Sequence, residues 1–456
     1  MKKEMFGLEI TVLRDTFRRL LRRHARTNIL KLIEKTHPAD MALIFRYFNE
    51  SEQNSVFELL LPTEQTVEFL NELDESTAAR LIEAENPEKI ADFLQAASSN
   101  ERAYLMGLVN ENFAASVIEM LKADDQEELE EIMAYPEDSA GSLMYTDVFS
   151  LHEDLEAKDA IRALQDQEEA EMVFYLYVID DQNRLSGVVS LRDLVTTPAH
   201  TKLKNIMSKK VHSVNPETDQ EDVARIVSQY NILAVPVLDS EENLLGIVTV
   251  DDVVDVIREE ATEDFFQMVG AGKDREILLK SSWENARIRM PWLMASWVGG
   301  IVAAFIIGYF DFVLESSLAL AAFIPVIIGM GGNIGTQSST IVVRGLATGR
   351  VGLENTVKVI FKEIRVGLIL GLLYGILLGI FAILKFMDIS PILGLVVGLS
   401  ICSSMLIAAT IGTLVPILMN KLDIDPAVAT GPFVTTSIDI LGVTFYFLIA
   451  GYFLLG

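Results

Sequence analysis

An acidic side chain, Asp439, stands in the middle of the last apolar stretch of the sequence. No charged residue occurs from Pro426 to Ile438 or from Ile440 to Gly456. Burying a charged side chain at the centre of a bilayer costs at least about 2.5–3.5 kcal/mol, so such a residue normally faces a partner or a water-filled path. Asp439 is therefore a candidate cation ligand. Alternatively, it is a helix-end residue at the membrane interface or a structural hydrogen-bond acceptor.

Small and oxygen-bearing residues surround this acid. Gly431 and Thr435 precede it, and a helix loosened by Gly and Pro can offer freed carbonyls and hydroxyls as ligands. An earlier apolar segment holds a similar run, which contains Gly332 and Asn333. Polar side chains are out of place against lipid, so we expect this run to face protein or water. Its residue types fit a helix-packing face equally well.

A cluster of acids, residues 251–264, lies shortly before the first apolar segment. Helical spacings of three and four place these acids on two shared faces: Asp252, Asp255 and Glu259, and Glu260, Glu263 and Asp264. Like charges stacked in this way repel, and a divalent cation, which takes oxygen ligands, would reverse the sign. The pattern favours a cation-responsive connector, and an ordinary solvated helix is the alternative.

Charge is distributed unevenly along the 456 residues. The net charge is −28, to which residues 287–456 contribute +1 and residues 1–286 therefore −29. An acidic region attracts cations and repels nucleic acid, so we expect no nucleic-acid partner, although plain solubility also explains the charge. The single cysteine, Cys402, excludes a disulfide and a Cys-based metal site. The N-terminus lacks the apolar core of a signal peptide, so the acidic part should not be exported.

Five apolar segments in the second part are each long enough to span a bilayer as a helix. Their approximate limits are Met290 to Phe310, Ser316 to Val343, Val366 to Leu384, Ile389 to Asn420, and Pro426 to Gly456. Lys and Arg gather at 287–289 and 344–365, whereas the intervening turns carry few. The positive-inside rule then predicts a multi-pass protein of the plasma (inner) membrane, with cytoplasmic N-terminal domains and its C-terminus outside.

Residues 1–136 have the pattern of a helical domain. Apolar residues recur at intervals of three and four, and helices should begin near Pro38, Pro62 and Pro87. Short helices at this spacing predict a stacked, superhelical N domain. One basic run either docks on an acidic neighbour or on headgroups, or forms a solvated helix face: Arg18, Arg19, Arg22, Arg23 and Arg26.

Residues 137–257 contain a duplicated α/β unit, with copies at 137–200 and 201–257. Each copy has two predicted strands followed by a helix. The strands are Val173–Ile179 and Leu185–Ser190 in the first copy, and Leu233–Leu238 and Leu245–Thr249 in the second. Three equivalent pairs lie 59 positions apart: Gly187 and Gly246, Ser190 and Thr249, Asp193 and Asp252.

This duplication resembles a tandem pair of CBS domains. In that family the Ser or Thr and the Asp of this signature often hold a ribose. The resemblance therefore implies ATP or another adenine nucleotide as a candidate ligand of Ser190, Asp193 and Thr249. Many such pairs bind no ligand, and that alternative stays open.

The resemblance extends to the whole chain through three membrane motifs. They are Gly-Met-Gly-Gly-Asn-x-Gly-x-Gln-Ser at 329–338, Asp-Pro-Ala at 425–427 and Thr-Thr-x-x-Asp at 435–439. With the domain order, they are similar to the MgtE family of magnesium channels and transporters. The fold implied is a multidomain one: the helical N domain, the CBS pair, an acidic connecting (plug) helix at 258–286 that begins near 251, and five transmembrane helices at 287–456.

The family resemblance implies a Mg²⁺-selective channel or transporter that works as a homodimer in the bilayer. Its ion path would lie between the two membrane halves, and Asp439 would be the main Mg²⁺ carboxylate. Gly431 and Thr435 would line the same path together with Asn333 and Gly332. Gly431 and Thr435 stand where the best-known members have Asn and Ala.

The resemblance also implies that cytosolic Mg²⁺ closes the pore by binding between the N domain, the CBS pair and the connecting helix. The matching acids are Asp252, Asp255, Glu260, Glu263 and Asp264 on the helix, Asp219 and Glu221 in the second repeat, and Glu88 and Asp92 in the N domain. Glu88 replaces an Asp of the family, and Asn231 replaces an acid.

Energetics agree with passive entry. An inside-negative potential favours a doubly charged ion by about 4.6 kcal/mol per 100 mV, and no Walker motif is present to hydrolyse ATP. We do not expect an enzyme, because the five histidines lie outside residues 287–456 and no His-Glu-x-x-His occurs. The other alternative is a membrane-anchored CBS module that senses nucleotide.

Overall fold

Proline and polar capping residues divide the N-terminal region into short helices. The computed structural model describes residues 2–166, 175–274, 276–352, 355–386, 391–422 and 424–455. The chain divides into two compact units, Met1–Val256 and Ile257–Gly456. Pro38 and Pro87 each occupy the first turn of a helix, as predicted, because proline loses no hydrogen bond there.

The helices of this region are α1 (Lys2–Arg22), α2 (Arg26–Ile33), α3 (Pro38–Phe45), α4 (Glu50–Leu60), α5 (Thr66–Asn71), α6 (Glu75–Glu83), α7 (Pro87–Leu94), α8 (Ser99–Leu108), α9 (Glu111–Ile118) and α10 (Ala123–Met133). Most helices pack against the helix two places along the chain, as α3 does against α5 and α8 against α10. Buried apolar residues such as Phe17, Phe45 and Phe69 form one continuous core. This order of packing is the predicted superhelical stack.

The predicted helix start near Pro62 is wrong. Pro62 lies in the turn between α4 and α5, and α5 begins only at Thr66. The buried hydroxyl of Thr66 donates to the carbonyl of Leu60 at 2.7 Å and to that of Thr63 at 2.8 Å. These bonds satisfy carbonyls at the end of α4, so the turn is held closed before the next helix begins.

The basic run docks in part on acidic neighbours of its own domain. Arg26 pairs with Glu58 at 3.1 Å, and Arg18 lies 3.7 Å from Glu52. Arg19, Arg22 and Arg23 are exposed. Arg19 and Arg22 occupy the last turn of α1, where cations favour the helix dipole.

The two repeats each pair a strand hairpin with helices. Their elements are α11 (Ala140–Leu143), β1 (Ser150–His152), α12 (Ala157–Asp166), β2 (Tyr175–Ile179), β3 (Leu185–Ser190), α13 (Leu191–Thr196), α14 (Gln220–Tyr230), β4 (Ala234–Leu238) and β5 (Leu244–Thr249). β2 and β3 are antiparallel, β1 lies parallel to β2, and β4 and β5 are antiparallel. Val173 and Phe174 of the predicted strand lie outside the described residues.

The repeated glycines permit close backbone approach. A Cβ on Gly187 would lie 2.6 Å from the carbonyl oxygen of Ser208, and one on Gly246 would lie 2.8 Å from that of Tyr145. Any side chain at these positions would push an adjacent segment away from the hairpin. The glycine in each copy of the signature is thus a packing requirement.

The acidic connecting segment is shorter as a helix than predicted. It forms α15 (Val250–Met268), a single helix that begins directly after β5 and also serves as the last helix of the second repeat. The predicted helix over 258–286 ends at Met268 because Gly270 and Gly272 adopt positive φ of 71° and 95°. The N–H of Ala271 then bonds to the carbonyl of Phe266 at 2.8 Å, which closes the helix end.

The described residues of the second unit include five helices long and apolar enough to cross a membrane. The elements are α16 (Ser282–Tyr309), α17 (Asp311–Ser316), a 3₁₀ helix (Leu318–Phe323) continued by α18 (Ile324–Ala347), α19 (Thr356–Lys385), α20 (Ile392–Lys421), α21 (Pro426–Thr430) and α22 (Pro432–Leu455). The five predicted spans are confirmed, with helix ends that differ by a few residues to about a dozen. Ile389 and Gly456, at the predicted limits of two spans, lie outside the described residues.

A row of glycines brings α19 and α20 into close contact. Gly367, Gly371, Gly375 and Gly379 recur every four residues and are all buried. On the other face of α19, Ile369, Leu373, Ile376 and Ile380 are exposed. Small residues on one face and large apolar ones on the other suit a helix that packs against protein on one side and lipid on the other.

Replacing Gly375 by Ala should destabilise the membrane unit. The new Cβ would lie 2.6 Å from the carbonyl oxygen of Gly398, so α19 and α20 would have to separate. Overpacking of this kind costs about 1–3 kcal/mol. Thermal unfolding of the detergent-solubilised protein, followed by tryptophan fluorescence, should show a lower midpoint.

Gly300→Ala is the matched control, since nothing lies within 4 Å of a Cβ at Gly300. Both substitutions make the same chemical change inside a spanning helix. Equal midpoints for the two variants would contradict the close packing of α19 on α20.

Candidate functional site

Asp439 lies two turns into α22 and is half-buried. Its neighbour Ile438 is buried and packs against Gly331 and Gly335 of α18, which leaves no room for a side chain at Gly335. On the other side of α22, Thr436 fills the space over Gly299 of α16. These contacts hold α22 between two spanning helices and so fix the position of the carboxylate.

The last apolar segment is broken at Gly431, between α21 and α22. Gly431 has φ −72° and ψ −120°, which interrupts the helix. The Thr435 hydroxyl donates to the carbonyl oxygen of Gly431 at 3.0 Å. The two predicted path residues are therefore in contact, with Thr435 one turn and Gly431 two turns before Asp439. Non-helical backbone at membrane depth is tolerated where it is buried in protein or lines water.

A polar face runs along α18. It consists of four exposed residues at helical spacing: Asn333, Thr336, Gln337 and Thr340. Gly332, which directly precedes the first residue of this polar face, is half-buried. Gly335 and Ser338, on the opposite face of α18, are buried. Polar side chains exposed on a spanning helix need water or a second protein surface, because lipid cannot satisfy them.

In both repeats the Ser/Thr–Asp signature caps the helix that follows it. The Ser190 hydroxyl accepts from the Asp193 N–H at 3.1 Å and donates to its carboxylate at 2.7 Å. The Thr249 hydroxyl donates to Asp252 at 2.5 Å, and the Thr249 N–H donates to the same carboxylate at 3.3 Å. Burial raises the pKa of Asp252 above its usual range, although the bonds from Thr249 oppose the shift.

The remaining predicted sensor acids lie on separate elements. Asp219 caps α14 and accepts from the N–H of Glu221 at 2.8 Å. Glu88 and Asp92 are exposed one turn apart on α7. Asp255 is exposed on α15.

The second half of α15 carries its acids close to polar partners. Glu260 is half-buried. Glu263 accepts from the side-chain amide of Gln267 at 2.9 Å and pairs with Lys273 at 3.0 Å. Lys273 follows the end of the helix, so this ion pair ties the helix to the segment after it.

Asp264 lies in the electrostatic field of a second acid, Asp425. Burial first, and then the neighbouring carboxylate of Asp425, raise the pKa of Asp264 to about 6, although the Arg344 guanidinium works in the opposite direction. Asp425 itself caps α21, where it accepts from the N–H of Ala427 at 2.8 Å. Asp425 belongs to the Asp-Pro-Ala motif but was not among the predicted site residues. Its position directly before a proline, a helix N-cap signature, was the available signal.

The end of α15 lies beside the break in the last segment. A Cβ on Gly431 would lie 3.7 Å from the carbonyl oxygen of Gln267 and 3.7 Å from the backbone nitrogen of Gly270. A Cβ on Gly270 would lie 3.9 Å from Pro432. The helix carrying the acids therefore reaches the residues that precede Asp439.

Within the described parts of the chain, no three His, Cys, Asp or Glu side chains converge in a way that could hold a metal ion. The structure places Asp264 in the electrostatic field of Asp425. The ligand sets implied by resemblance stay predictions at the level of single residues.

Asp264→Asn should stabilise the metal-free protein at neutral pH. The folded-state pKa of about 6 exceeds the unfolded value of 3.8, so wild type loses stability progressively as pH rises from 3.8 to above 6. Removing the charge should regain about 1 kcal/mol near pH 7.5, after allowance for solvent screening, and about half as much near pH 5. Thermal midpoints measured at both pH values in chelator-treated buffer check this.

Asp251→Asn, at an exposed acid on the same helix, is the control. It should show no comparable difference between the two pH values. A stabilisation by Asp264→Asn that is the same near pH 5 and pH 7.5 would show that the carboxylate charge is not its cause.

Family models match three parts of the chain. A model described as MgtE, divalent cation transporter, matches residues 324–449, and one for the MgtE intracellular N domain matches residues 36–138. The CBS domain model matches residues 140–199 and 203–259. These matches confirm the helical N domain, the CBS pair and the membrane domain as fold classes.

Similar proteins match over nearly the whole chain. The magnesium transporter MgtE of Bacillus subtilis is 33% identical and covers 93% of each chain. The magnesium transporter MgtE of Thermus thermophilus is 34% identical, over 92% of this chain and 94% of that protein.

A solved structure, the cytosolic domain of the Mg²⁺ channel MgtE in complex with ATP, is 30% identical, with a TM-score of 0.51 over 53% of this chain and 99% of the other. The expectation of a transporter rather than an enzyme is confirmed by these relatives. The chain belongs to the MgtE family of divalent cation transporters.

Proposed function

We propose that the chain is a Mg²⁺ channel or transporter that admits Mg²⁺ to the cytosol down its electrochemical gradient and is closed by cytosolic Mg²⁺. Membership of a family whose similar relatives are magnesium transporters supports this function. The observation that carries it is the half-buried carboxylate of Asp439 inside a spanning helix, two turns beyond the break at Gly431.

Mg²⁺ gives up water reluctantly, so a pore can recognise its hydrated form with one or two carboxylates and carbonyls. Two Asp439 side chains from two copies of the chain would supply the carboxylates. Gly431, Thr435, Asn333 and Gly332 would line the same path. The membrane potential drives a divalent cation inward by about 4.6 kcal/mol per 100 mV, so no further energy source is required.

A homodimer is supported by surfaces that a single chain leaves open. The polar face of α18 is exposed, although lipid is a poor solvent for it. In the repeats, Val195 and Val254 are 70% and 58% exposed at positions related by the 59-residue duplication. A pair of equivalent apolar residues suits an isologous contact between two copies.

Closure would work through α15, whose end lies beside Gly431. Without a cation, Asp264 and Asp425 repel each other. A bridging Mg²⁺ turns that repulsion into attraction and holds the helix end against the path. We assign the full set of regulatory ligands as the resemblance implies: Asp252, Asp255, Glu260, Glu263, Asp264, Asp219, Glu221, Glu88 and Asp92.

We further propose the predicted domain limits: 1–136 for the N domain, 137–200 and 201–257 for the CBS repeats, 258–286 for the connecting segment and 287–456 for the membrane domain. The N-terminal domains would lie in the cytoplasm and the C-terminus outside. Lys358, Lys362 and Arg365 at the start of α19 support this orientation by the positive-inside rule.

Adenine nucleotide is a proposed ligand of the CBS pair, at Ser190, Asp193 and Thr249. A relative's cytosolic domain has been solved with ATP, and here both hydroxyls lie at the start of a helix. The second candidate function, a membrane-anchored module that only senses nucleotide, shares this ligand but needs no ion path.

Asp439→Ala should abolish Mg²⁺ entry. The substitution removes the carboxylate that holds the hydrated ion, and nothing else in the described part of α22 carries a negative charge. Mg²⁺ uptake into proteoliposomes, reported by a trapped fluorescent indicator, should fall to the level of empty vesicles.

Asp311→Asn is the control, because Asp311 is an exposed acid of the same unit outside the path. It should retain uptake. Wild-type protein that moves no Mg²⁺ would favour the anchored nucleotide-sensing module, and an Asp439→Ala variant with normal uptake would reject the proposed ion path.

Neutralising four sensor acids together should weaken closure. The variant changes Asp252, Asp255, Glu260 and Glu263 to their amides, which cannot bridge through a cation. We expect the cytosolic Mg²⁺ concentration for half-inhibition in patch-clamp recordings to rise at least about tenfold, or about 1.4 kcal/mol of lost coupling.

A control variant carries four amides at exposed acids of α10: Asp124, Glu127, Glu130 and Glu131. It makes the same change in net charge and should leave half-inhibition in place. Equal shifts in both variants would mean that total charge, and not these sites, sets the response.

A further inference from the structure

One buried acid of the membrane unit has no part in the ion path described above. Glu363 lies near the start of α19 and is 5% exposed. Its carboxylate accepts a hydrogen bond from the hydroxyl of Ser338 at 2.9 Å. Ser338, on α18, is 2% exposed. Acids buried inside membrane helices are expensive and are normally retained for a function.

This hydrogen bond joins α18 to α19 through the buried side of α18. Ser338 directly follows Gln337 of the polar face, and successive residues of a helix are rotated by about 100°. Ser338 therefore points toward protein when Gln337 points out, as their burial shows. The contacts that Gly331 and Gly335 make with Ile438 are apolar and carry no directional bond. The hydrogen bond from the Ser404 hydroxyl of α20 to the carbonyl of Ile327, at 3.4 Å, lies about three turns before Ser338. A hydrogen bond is directional and resists rotation of the helix.

We infer that Glu363 is a positioning residue, whose hydrogen bond to Ser338 sets the rotation of α18 and so keeps the polar face toward the ion path. The inference rests on the proposed function, because it treats that face as lined by water. At the outer radius of a helix, a rotation of about 20° displaces a side chain by about 2 Å. Displacements of this size are enough to spoil the coordination of an ion in transit.

The alternative is that Glu363 acts by its charge, as a cation ligand of its own. The two possibilities differ in what they require of residue 363. Positioning requires a hydrogen-bond acceptor of the right length, which Gln supplies. A ligand requires the negative charge, which Gln lacks. Ser338→Ala separates them again, because it removes the bond and leaves the charge.

The test measures the orientation of α18 directly. In a Cys402→Ala background, Gln337→Cys places one thiol on the polar face, and a membrane-impermeant maleimide labels it in proteoliposomes. We expect labelling in the otherwise native protein. The rate should fall at least about threefold in both Glu363→Ala and Ser338→Ala, since either change frees α18 to rotate. Glu363→Gln should stay close to the native rate.

Ser400→Ala is the matched control. Ser400 is also a buried serine of a spanning helix, 1% exposed, but its hydroxyl bonds to the carbonyl of Val396 in its own helix at 2.7 Å. Its loss breaks no bond between helices, so labelling should not change. If Glu363→Ala does not fold, Ser338→Ala and Glu363→Gln carry the comparison.

Mg²⁺ uptake provides a second readout. Glu363→Ala and Ser338→Ala should lower uptake by similar factors, and the double variant should be no worse than either, because both remove one shared bond. The cytosolic Mg²⁺ concentration for half-inhibition should not move.

Three results would overturn the inference in different ways. An unlabelled Gln337→Cys in the native background means that the polar face is not lined by water, and the proposed path fails with the inference. If Gln337→Cys is labelled at the native rate in Glu363→Ala, the positioning role of Glu363 is rejected and the proposed ion path is not. Loss of uptake in Glu363→Gln, with native behaviour of Ser338→Ala, means that the charge of Glu363 is what matters.

Discussion

An ionised carboxylate inside a bilayer must keep its water or find a substitute, because lipid offers no hydrogen bonds and little screening. Asp439 is such a group, and the membrane unit is arranged around it. The break at Gly431 and the polar face of α18 place backbone and side-chain oxygens and amides near the last helix. The glycine row of α19 packs tightly on α20, which leaves little space between these two helices. In the proposed function, the hydrated ion would pass on the polar side of the bundle, away from the packed glycine row.

The same electrostatic constraint explains regulation. Acids that repel one another in a partly buried setting are destabilising. Burial, and then the neighbouring carboxylate of Asp425, raise the pKa of Asp264. A ligand shifts a conformational equilibrium only by its differential affinity for the two states. A divalent cation meets that condition, since it binds strongly only where two carboxylates are close. In the proposed function, the transported ion would therefore control its own entry without a separate effector.

Local patterns predicted much of this architecture. The apolar strand patterns and the turn residues between them predicted the two hairpins of the repeats, and the 59-residue spacing of equivalent residues indicated their duplication. The paired Ser190 and Thr249 were assigned to ribose. In the structure Ser190 also caps α13, and the Thr249 hydroxyl donates to Asp252 at the start of α15, which are local functions the spacing alone could have indicated. The length of the connecting helix was overestimated, because the stop depends on the positive φ of Gly270 and Gly272 and not on their hydrophobicity.

By itself, the sequence determined which segments cross the membrane, which units are duplicated and that Asp439 is an acid within an apolar helix, because these follow from composition and period along one chain. Only the tertiary structure decided that Asp264 faces Asp425, that the end of α15 reaches Gly431 and that Glu363 bonds to Ser338. These pairs are separated by 25 to more than 160 residues. No local propensity encodes such meetings, since they result from how whole helices pack and rotate against one another.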